Sequence, residues 1–580
     1  MEWTYLTLLL LGLPLGGSLL PVASWRRGRG YAHALSIAIL TATVLAATLI
    51  AYDVQQHGPV LVGGNDGALP GFVLNIDFLA SVMALLSSFL CLMCVLVSGS
   101  YGVFEGNGSR YLSSILLLCG ALNGIFLSGD LVLLMFFWEM MVVSSYLVIV
   151  HSGKERAVVA GRKYFVMAQA GAVMILASIA IAFVETGTTR MVPGSIVYGG
   201  VTGLAFATLA FVGFGIDAAV VPFHIWLPDA HSESPTPMSA LLSGIVVKTG
   251  IYGLIRFFYM LYQIPGGWEE VVVPVGLATA LVGVFLALFQ MDGKRLIAMS
   301  TVSQIGLIVM GIGSGTAAGA TGVTYHLLNH SIFKSLIFLT AGWAMWASGT
   351  RDLGSIKRAR EARRLLPFYL IGVLSISGIP PFSGFFSKSI IGKAVNTGSP
   401  EMAVLSSLVG MLTLLSFMKL GWFLFFRGSG DSFSRDPSKM VLGACAILTA
   451  VCILQGILSP WLLGAIDGGI HGTDQTTGFP SPLSASVITL LGYAGFMVAL
   501  FIWSRKERVY QTLTSGALGF IGKLGKRELF VDEFYTSSSR VVLRICGVAS
   551  RLASGYPRDY AGYVMAAWLV GMLLILGGML

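Results

Sequence analysis

Charge is scarce in this chain: only 11% of its 580 residues are Asp, Glu, Lys or Arg, against 55% hydrophobic and a mean hydropathy of +0.82. That excludes a soluble domain, because no globular fold of this length hides so much apolar surface from water. Cysteine is scarce too. Of Cys91, Cys94, Cys119, Cys445, Cys452 and Cys546, the first two form a C-x-x-C inside an apolar run with no second pair. Free cysteines buried as small hydrophobes explain this better than a metal or redox site. A nucleotide loop, a flavin fingerprint, a haem ligand set and a hydrolytic triad are all missing. No catalytic, cofactor or metal site is therefore expected here, and any driving redox chemistry belongs to another subunit. The net charge of +9 does not signal nucleic acid, because the basic residues are dispersed among short loops, where they set topology.

What the chain has in abundance is apolar runs of about 20 residues, each long enough to cross a bilayer. They predict an all-α polytopic membrane protein with sixteen spans: 5–24, 33–52, 76–98, 111–128, 131–150, 164–186, 200–235 (broken), 237–262, 271–290, 295–313, 320–348, 365–395 (broken), 402–426, 441–463, 485–504 and 563–580. The first run has no basic residue before it and is followed by Arg26, Arg27 and Arg29, the wrong polarity for a cleaved signal, so it reads as a retained span. With both termini outside a prokaryotic cytoplasmic membrane, every loop Lys or Arg but Arg190 falls inside, as the positive-inside rule requires. Residues 505–562 are the one long cytoplasmic stretch. There Arg540, Arg544 and Arg551 alternate with Val541, Leu543, Ile545 and Leu552, which suggests a lateral amphipathic helix on the membrane surface.

Two spans cannot be regular helices. Pro222, Pro228, Pro235 and Pro237 break the strip at 220–256, and Pro380 and Pro381 break ISGIPPFSGFFSK at 376–388. Irregular backbone at membrane depth is tolerated only where protein or a water-filled cavity satisfies it. One break falls in spans 4–8 and the other in spans 9–13. Because five is odd, two such units have opposite orientations, a common transporter design. The expected organisation is helices 1–3 (1–110), a first five-helix half-channel (111–262), an inverted second one (271–426), two more helices (441–504), the lateral segment (505–562) and a C-terminal anchor (563–580).

Ionisable residues inside these spans are costly and by default functional. Glu139 sits mid-span in FFWEMM and Lys248 lies deep in the span after the first break. His326, His330 and Lys334 recur every fourth residue and so share one helix face, a stripe suited to relaying protons. Lys388 follows the second break and Lys419 lies in span 13. Each alone has a plain alternative, such as an interhelical hydrogen bond for a histidine or snorkelling to an interface for Lys393 and Arg256. As a set on successive repeat spans, they read as a proton path. His224 and His231 lack cysteine or carboxylate partners at metal-ligand spacing. Asp229, in WLPDAH, is placed to cap or brace the restarting helix.

At these residues the chain resembles the antiporter-like membrane subunits shared by respiratory complex I, energy-converting hydrogenases, formate hydrogenlyase and Mrp-type sodium/proton antiporters. The resemblance is carried by FFWEMMVVSSYLVI (136–149), PFHIWLPDAHSESPTPMSALLSGIVVKTGIYGLIR (222–256), DGKRLIAMSTVSQIG (292–306), YHLLNHSIFKSLIFLTAG (325–342) and the second break. SALLSGIVVKTGIYGLIR looks most like the hydrogenase branch. It implies that Glu139 and Lys248 act in the first half-channel, His326, His330 and Lys334 form a central axis, and Lys388 is the terminal lysine. It also implies partners: other membrane subunits and a peripheral redox arm whose iron–sulfur or nickel–iron centres drive transfer of protons, or their exchange for sodium. An Mrp-type antiporter without a redox partner is the alternative. The chain departs from the family at Asp217, which stands where a lysine is usual five residues before Pro222. Either Lys248 takes over the pairing with Glu139, or the first half-channel works differently, or the chain is a non-pumping anchor. FVDEFY (530–535) and YPRDYAGYVMAAW (556–568) resemble the ends of a lateral helix. The roughly 20 residues between them span about 30 Å, too little to brace a long row of such subunits.

Overall fold

The computed structural model describes residues 2–63, 73–105, 107–191, 200–261, 267–356, 361–395, 400–426 and 436–471. The expected spans 485–504 and 563–580, and the lateral segment with Arg540, Arg544 and Arg551, lie outside them. Within them the chain is a helical membrane fold, with eleven helices long and apolar enough to cross a bilayer.

The chain begins with α1 (Glu2–Gly17) and α2 (Leu20–Ser24), bent by 46°, followed by α3 (Arg29–His57). The next segment, expected as loop, contains an antiparallel hairpin, β1 (Val60–Gly63) with β2 (Val73–Ile76). After it come α4 (Phe78–Ser98), α5 (Gly108–Leu127), α6 (Leu131–Ile149), α7 (Glu155–Thr186) and α8 (Gly200–Asp217). The Asp77 and Asp130 side chains accept from the first amides of α4 and α6, as N-caps do. Helix α7 starts well before the expected residue 164, and this places Lys163 within it.

The first break leads to α9 (Trp226–Glu233), α10 (Thr236–Leu241), a π-helical turn at Leu242–Val246, α11 (Val247–Ile255) and a second π-helical turn at Arg256–Leu261. Pro237 sits in the first turn of α10, where a missing N–H costs nothing. Next are α12 (Glu269–Phe289), α13 (Gly293–Gly313), α14 (Ala317–Ser348), α15 (Leu366–Ser377), α16 (Ser383–Val395), α17 (Pro400–Gly421), α18 (Lys439–Ile457) and α19 (Ser459–His471). The expected span 441–463 is thus two helices that meet at Ser459–Pro460, because the proline cannot continue α18.

Both breaks are built alike. Helix α8 ends with Val220 N–H donating to Gly215 O at 2.8 Å and Ala219 N–H to Ile216 O at 3.1 Å; α15 ends with Ile379 donating to Leu374 O and Gly378 to Ser375 O. This is the Schellman arrangement, with Ala219 (φ 58°) and Gly378 (φ 76°) in the left-handed position. In each case Pro-Phe follows three residues on, at Pro222 and at Pro381.

Small residues set the inner packing. A Cβ on Gly306 of α13 would lie 2.2 Å from Ala280 N of α12, and one on Gly283 2.4 Å from Ser303 N. The two backbones touch there, as small residues allow between membrane helices. Helix α13 is buried except at Arg295, the stretch from Thr236 to Phe258 is wholly buried, and α14 is nearly so. Helices α3 and α7 instead turn Leu45, Leu49, Val166, Val173 and Val184 outward, as lipid-facing helices do. Arg256 does not snorkel: it is 5% exposed and bonded to Asp77.

Candidate functional site

The buried centre of the protein is cationic. On α14 the rings of His326 and His330 lie parallel within 5°, their centroids 5.9 Å apart, as the four-residue spacing requires. His326 Nδ1 bonds Ser387 Oγ of α16 at 2.9 Å, while neither nitrogen of His330 has a partner among the described residues. One turn further, Lys334 Nζ donates to Ile297 O of α13 at 2.9 Å and to Ser300 Oγ, and it lies 5.2 Å from the centroid of Phe417. The His330 imidazole is within electrostatic range of Lys248, Lys334, His326 and Lys388. The structure therefore brings these five residues together.

The lysines share one mode of solvation. Lys248 is fully buried and donates to Ser243 O, in the π-helical turn just before α11. Such turns displace the ladder at functional positions. Lys388 donates to Ile376 O at 2.5 Å, near the C-terminal end of α15. Lys419 donates to Leu288 O and Gln290 O, at 2.6 and 2.7 Å, closing the end of α12. Two of the four thus sit at helix C-termini, where carbonyls lack partners and the dipole favours a cation. Among the described residues, none of these four ammonium groups is hydrogen-bonded to a carboxylate.

The carboxylates lie to one side. Glu139 of α6 is half-buried and accepts from Gln169 Nε2 of α7 at 2.7 Å. Asp217, at the end of α8, is 3% exposed and accepts from Thr249 Oγ1 at 2.8 Å. Thr249 follows Lys248 directly, so Asp217 is joined to the turn that carries the lysine. Tyr164 lies within electrostatic range of both carboxylates. Asp229 braces the restart through side chains of other helices rather than through backbone amides: Lys163 of α7 at 2.9 Å and Arg295 of α13. Pro228 stands beside it in α9. Among the described residues, no three His, Cys, Asp or Glu side chains converge as metal ligands would.

Sequence reasoning passed over two residues. Gln169 was visible as a lone amide in the apolar run VMAQAGAV. Lys294 looked like loop charge, yet it is 8% exposed and donates to Ser234 O at 2.6 Å. It lines a cavity of about 790 Å³ with Lys154, Arg156, Glu233, Trp346 and Arg351. Behind it His231 stacks on Phe338 at 4.8 Å, within electrostatic range of Lys294, Lys334 and Lys248. The cavity thus borders the buried axis.

The sequence matches the family described as NADH:quinone oxidoreductase/Mrp antiporter over residues 128–413. It is 32% identical to hydrogenase-4 component B of Escherichia coli, over 72% of this chain and 66% of that one. It is 31% identical to a subunit of the Na(+)/H(+) antiporter of Alkalihalophilus pseudofirmus, over 72% of this chain and 87% of that one. The chain belongs to the antiporter-like family of complex I, Mrp and hydrogenase membrane subunits. A chain of the Mrp complex from Dietzia superposes with a TM-score of 0.73 at 25% identity, covering 82% of this antiporter-like subunit and 98% of that chain. Family members work within multisubunit membrane complexes, with redox cofactors, where present, in other subunits. Hydrogenase and Mrp relatives match this subunit almost equally, so similarity alone does not name the driving reaction.

Proposed function

We propose that this subunit moves protons along Lys248, His330, His326 and Lys388 within a redox-driven assembly of the hydrogenase type. The observation that carries this reading is that the buried lysines are solvated by neutral main-chain carbonyls. A lysine locked to a buried carboxylate gives up its proton only by stranding that charge. A lysine held by a carbonyl leaves a neutral, hydrogen-bonded site behind. Stacked imidazoles between such lysines can carry the proton across. The path is built from nitrogen bases and ammonium groups, which repel sodium, and this favours the proton as the ion moved. The cavity over Lys294 and His231 supplies the inlet.

The matching breaks support two inverted half-channels, 111–262 and 271–426, with Pro222 and Pro381 at equivalent places. In the first, Glu139 and Asp217 adjust the field at Lys248, so Asp217 modifies this half-channel without closing it. Asp217→Lys puts a second ammonium beside Lys248 and is expected to slow proton transfer, while Asp217→Asn, which still accepts from Thr249, preserves most of it. A wild type without transport, to which Asp217→Lys adds none or in which it creates some, would instead mark a non-pumping anchor. Vesicles in sodium-free and sodium-containing media measure both variants.

A redox-free antiporter is the second reading, favoured by the similarity to the Alkalihalophilus antiporter. Purification through a tag on this chain decides between them. Iron–sulfur or nickel–iron subunits in the purified assembly support the first, and a set of small membrane subunits alone supports the second.

A further inference from the structure

Helix α14 carries a second polar stripe, one residue behind the histidines. Thr321, Tyr325 and Asn329 recur every fourth residue and face the second break and helices α18 and α19, away from Lys334. Asn329 Nδ2 donates to Ser383 O at 3.3 Å, and Tyr325 OH to Gln455 O of α18 at 2.5 Å. Thr321 Oγ1 donates to Asp467 Oδ1 of α19 at 3.0 Å. Asp467 is only 7% exposed.

This seam is short of partners. Among the described residues, Asp467 Oδ2, Gln455 Oε1 and His326 Nε2 are buried without a protein hydrogen bond, and the Asn329 and Ser459 side chains lie beside the Tyr325 hydroxyl. Folded proteins leave few such atoms, and a run of them along one seam calls for a hydrogen-bonding occupant, water or the transported ion. The run links the axis, at His326, to the N-terminal end of α14. The Lys294 cavity opens beside Gly342 at the other end of the same helix. Thr321 and Gly342 are separated by about 30 Å of helix, roughly the thickness of the hydrocarbon core.

We infer that Asp467 is the outlet carboxylate of this subunit: it takes the proton arriving past His326 and Tyr325 and releases it at the face opposite the Lys294 cavity. The inference rests on the proton-transfer reading above. Asp467 lies beyond residues 128–413, so α19 adds to the family core a protonatable group that the core does not supply. A neutral stripe of hydroxyl and amide groups passes a proton but cannot hold one; the carboxylate gives it a resting place before release.

The deciding variant is Asp467→Asn in the intact assembly in proteoliposomes. Asparagine still accepts from Thr321, so a role limited to holding α19 against α14 predicts wild-type transport. The outlet role predicts a loss of ~10-fold or more, the scale on which a positioned proton carrier acts, with Asp467→Glu restoring much of it. Wild-type transport in Asp467→Asn overturns the inference when Lys388→Ala is inactive in the same vesicles. If neither variant changes transport, the proton-transfer reading itself fails. Should Asp467→Asn not assemble, a hydrophobic carbodiimide on the wild-type assembly replaces it. Modification of Asp467 in step with lost transport supports the outlet, and transport that survives full modification, or no modification at all, overturns it. Repeating the assay without sodium separates a proton carboxylate, unaffected, from a sodium site, which would fall silent and overturn the assignment.

Discussion

Lys388→Ala and Lys248→Ala are each expected to abolish proton transfer while the subunit still assembles. The first effect follows from continuity. Lys388 is the group next to the stacked histidines on the second break, and Lys248 is the one charged side chain in the wholly buried stretch from Thr236 to Ile255. Removing a positioned proton carrier costs about 10²–10⁴-fold in rate where no water takes its place. Assembly survives for a different reason. Each substitution removes the ammonium donor from one carbonyl, Ile376 O or Ser243 O, a penalty of at most ~1–3 kcal/mol. It also removes an ammonium whose burial was costly without a counter-ion. The two changes oppose each other, so the fold stays close to its original stability. Dye-reported proton uptake into proteoliposomes, with subunit composition checked on the same sample, measures both. Unchanged uptake in both variants would remove the axis from the transport path.

What the sequence made legible follows from which forces act locally. Spans were readable because lipid requires long apolar runs, and the breaks because proline lacks an amide donor. The four-residue spacing of His326, His330 and Lys334 was enough to place them on one face, since helical periodicity alone decides that. Partners across helices were not readable, since they depend on which faces meet. Glu139 bonds Gln169, a residue 30 positions away on α7, and Asp229 turns to Lys163 and Arg295 rather than to its own backbone. Lys294 escaped notice because Asp292 and Gly293 before it look like loop, whereas Asp292 is the N-cap that pulls the lysine under Ser234. Asp467 was hidden because the expected span through Pro460 stops at residue 463 and leaves it in a loop, whereas α19 runs on to His471.

The second large effect concerns stability. Arg256→Ala is expected to destabilise the subunit by ~3–5 kcal/mol, because it leaves the largely buried Asp77 carboxylate without its counter-charge. The geometry makes this pair unlike an ordinary surface bridge. Arg256 bonds Asp77 through both terminal nitrogens, and its Nε donates to Tyr252 OH at 2.7 Å. Tyr252 in turn donates to Phe126 O at 2.6 Å. Asp77 also accepts from Ala80 N as the cap of α4. One guanidinium thus fastens the β-hairpin and α4 to the end of the helix that carries Lys248, with the tyrosine extending the contact to α5. Arg256→Lys cannot reproduce the two parallel bonds, so it should recover only part of the loss. Asp77→Asn, which keeps a capping oxygen, should cost less than Arg256→Ala. The double variant Asp77→Asn/Arg256→Ala should cost less than the sum of the two, because neither charge is then stranded. Thermal melting of the purified assembly checks all four variants. A wild-type midpoint for Arg256→Ala, or strict additivity in the double variant, would show that the pair does not anchor the Lys248 helix.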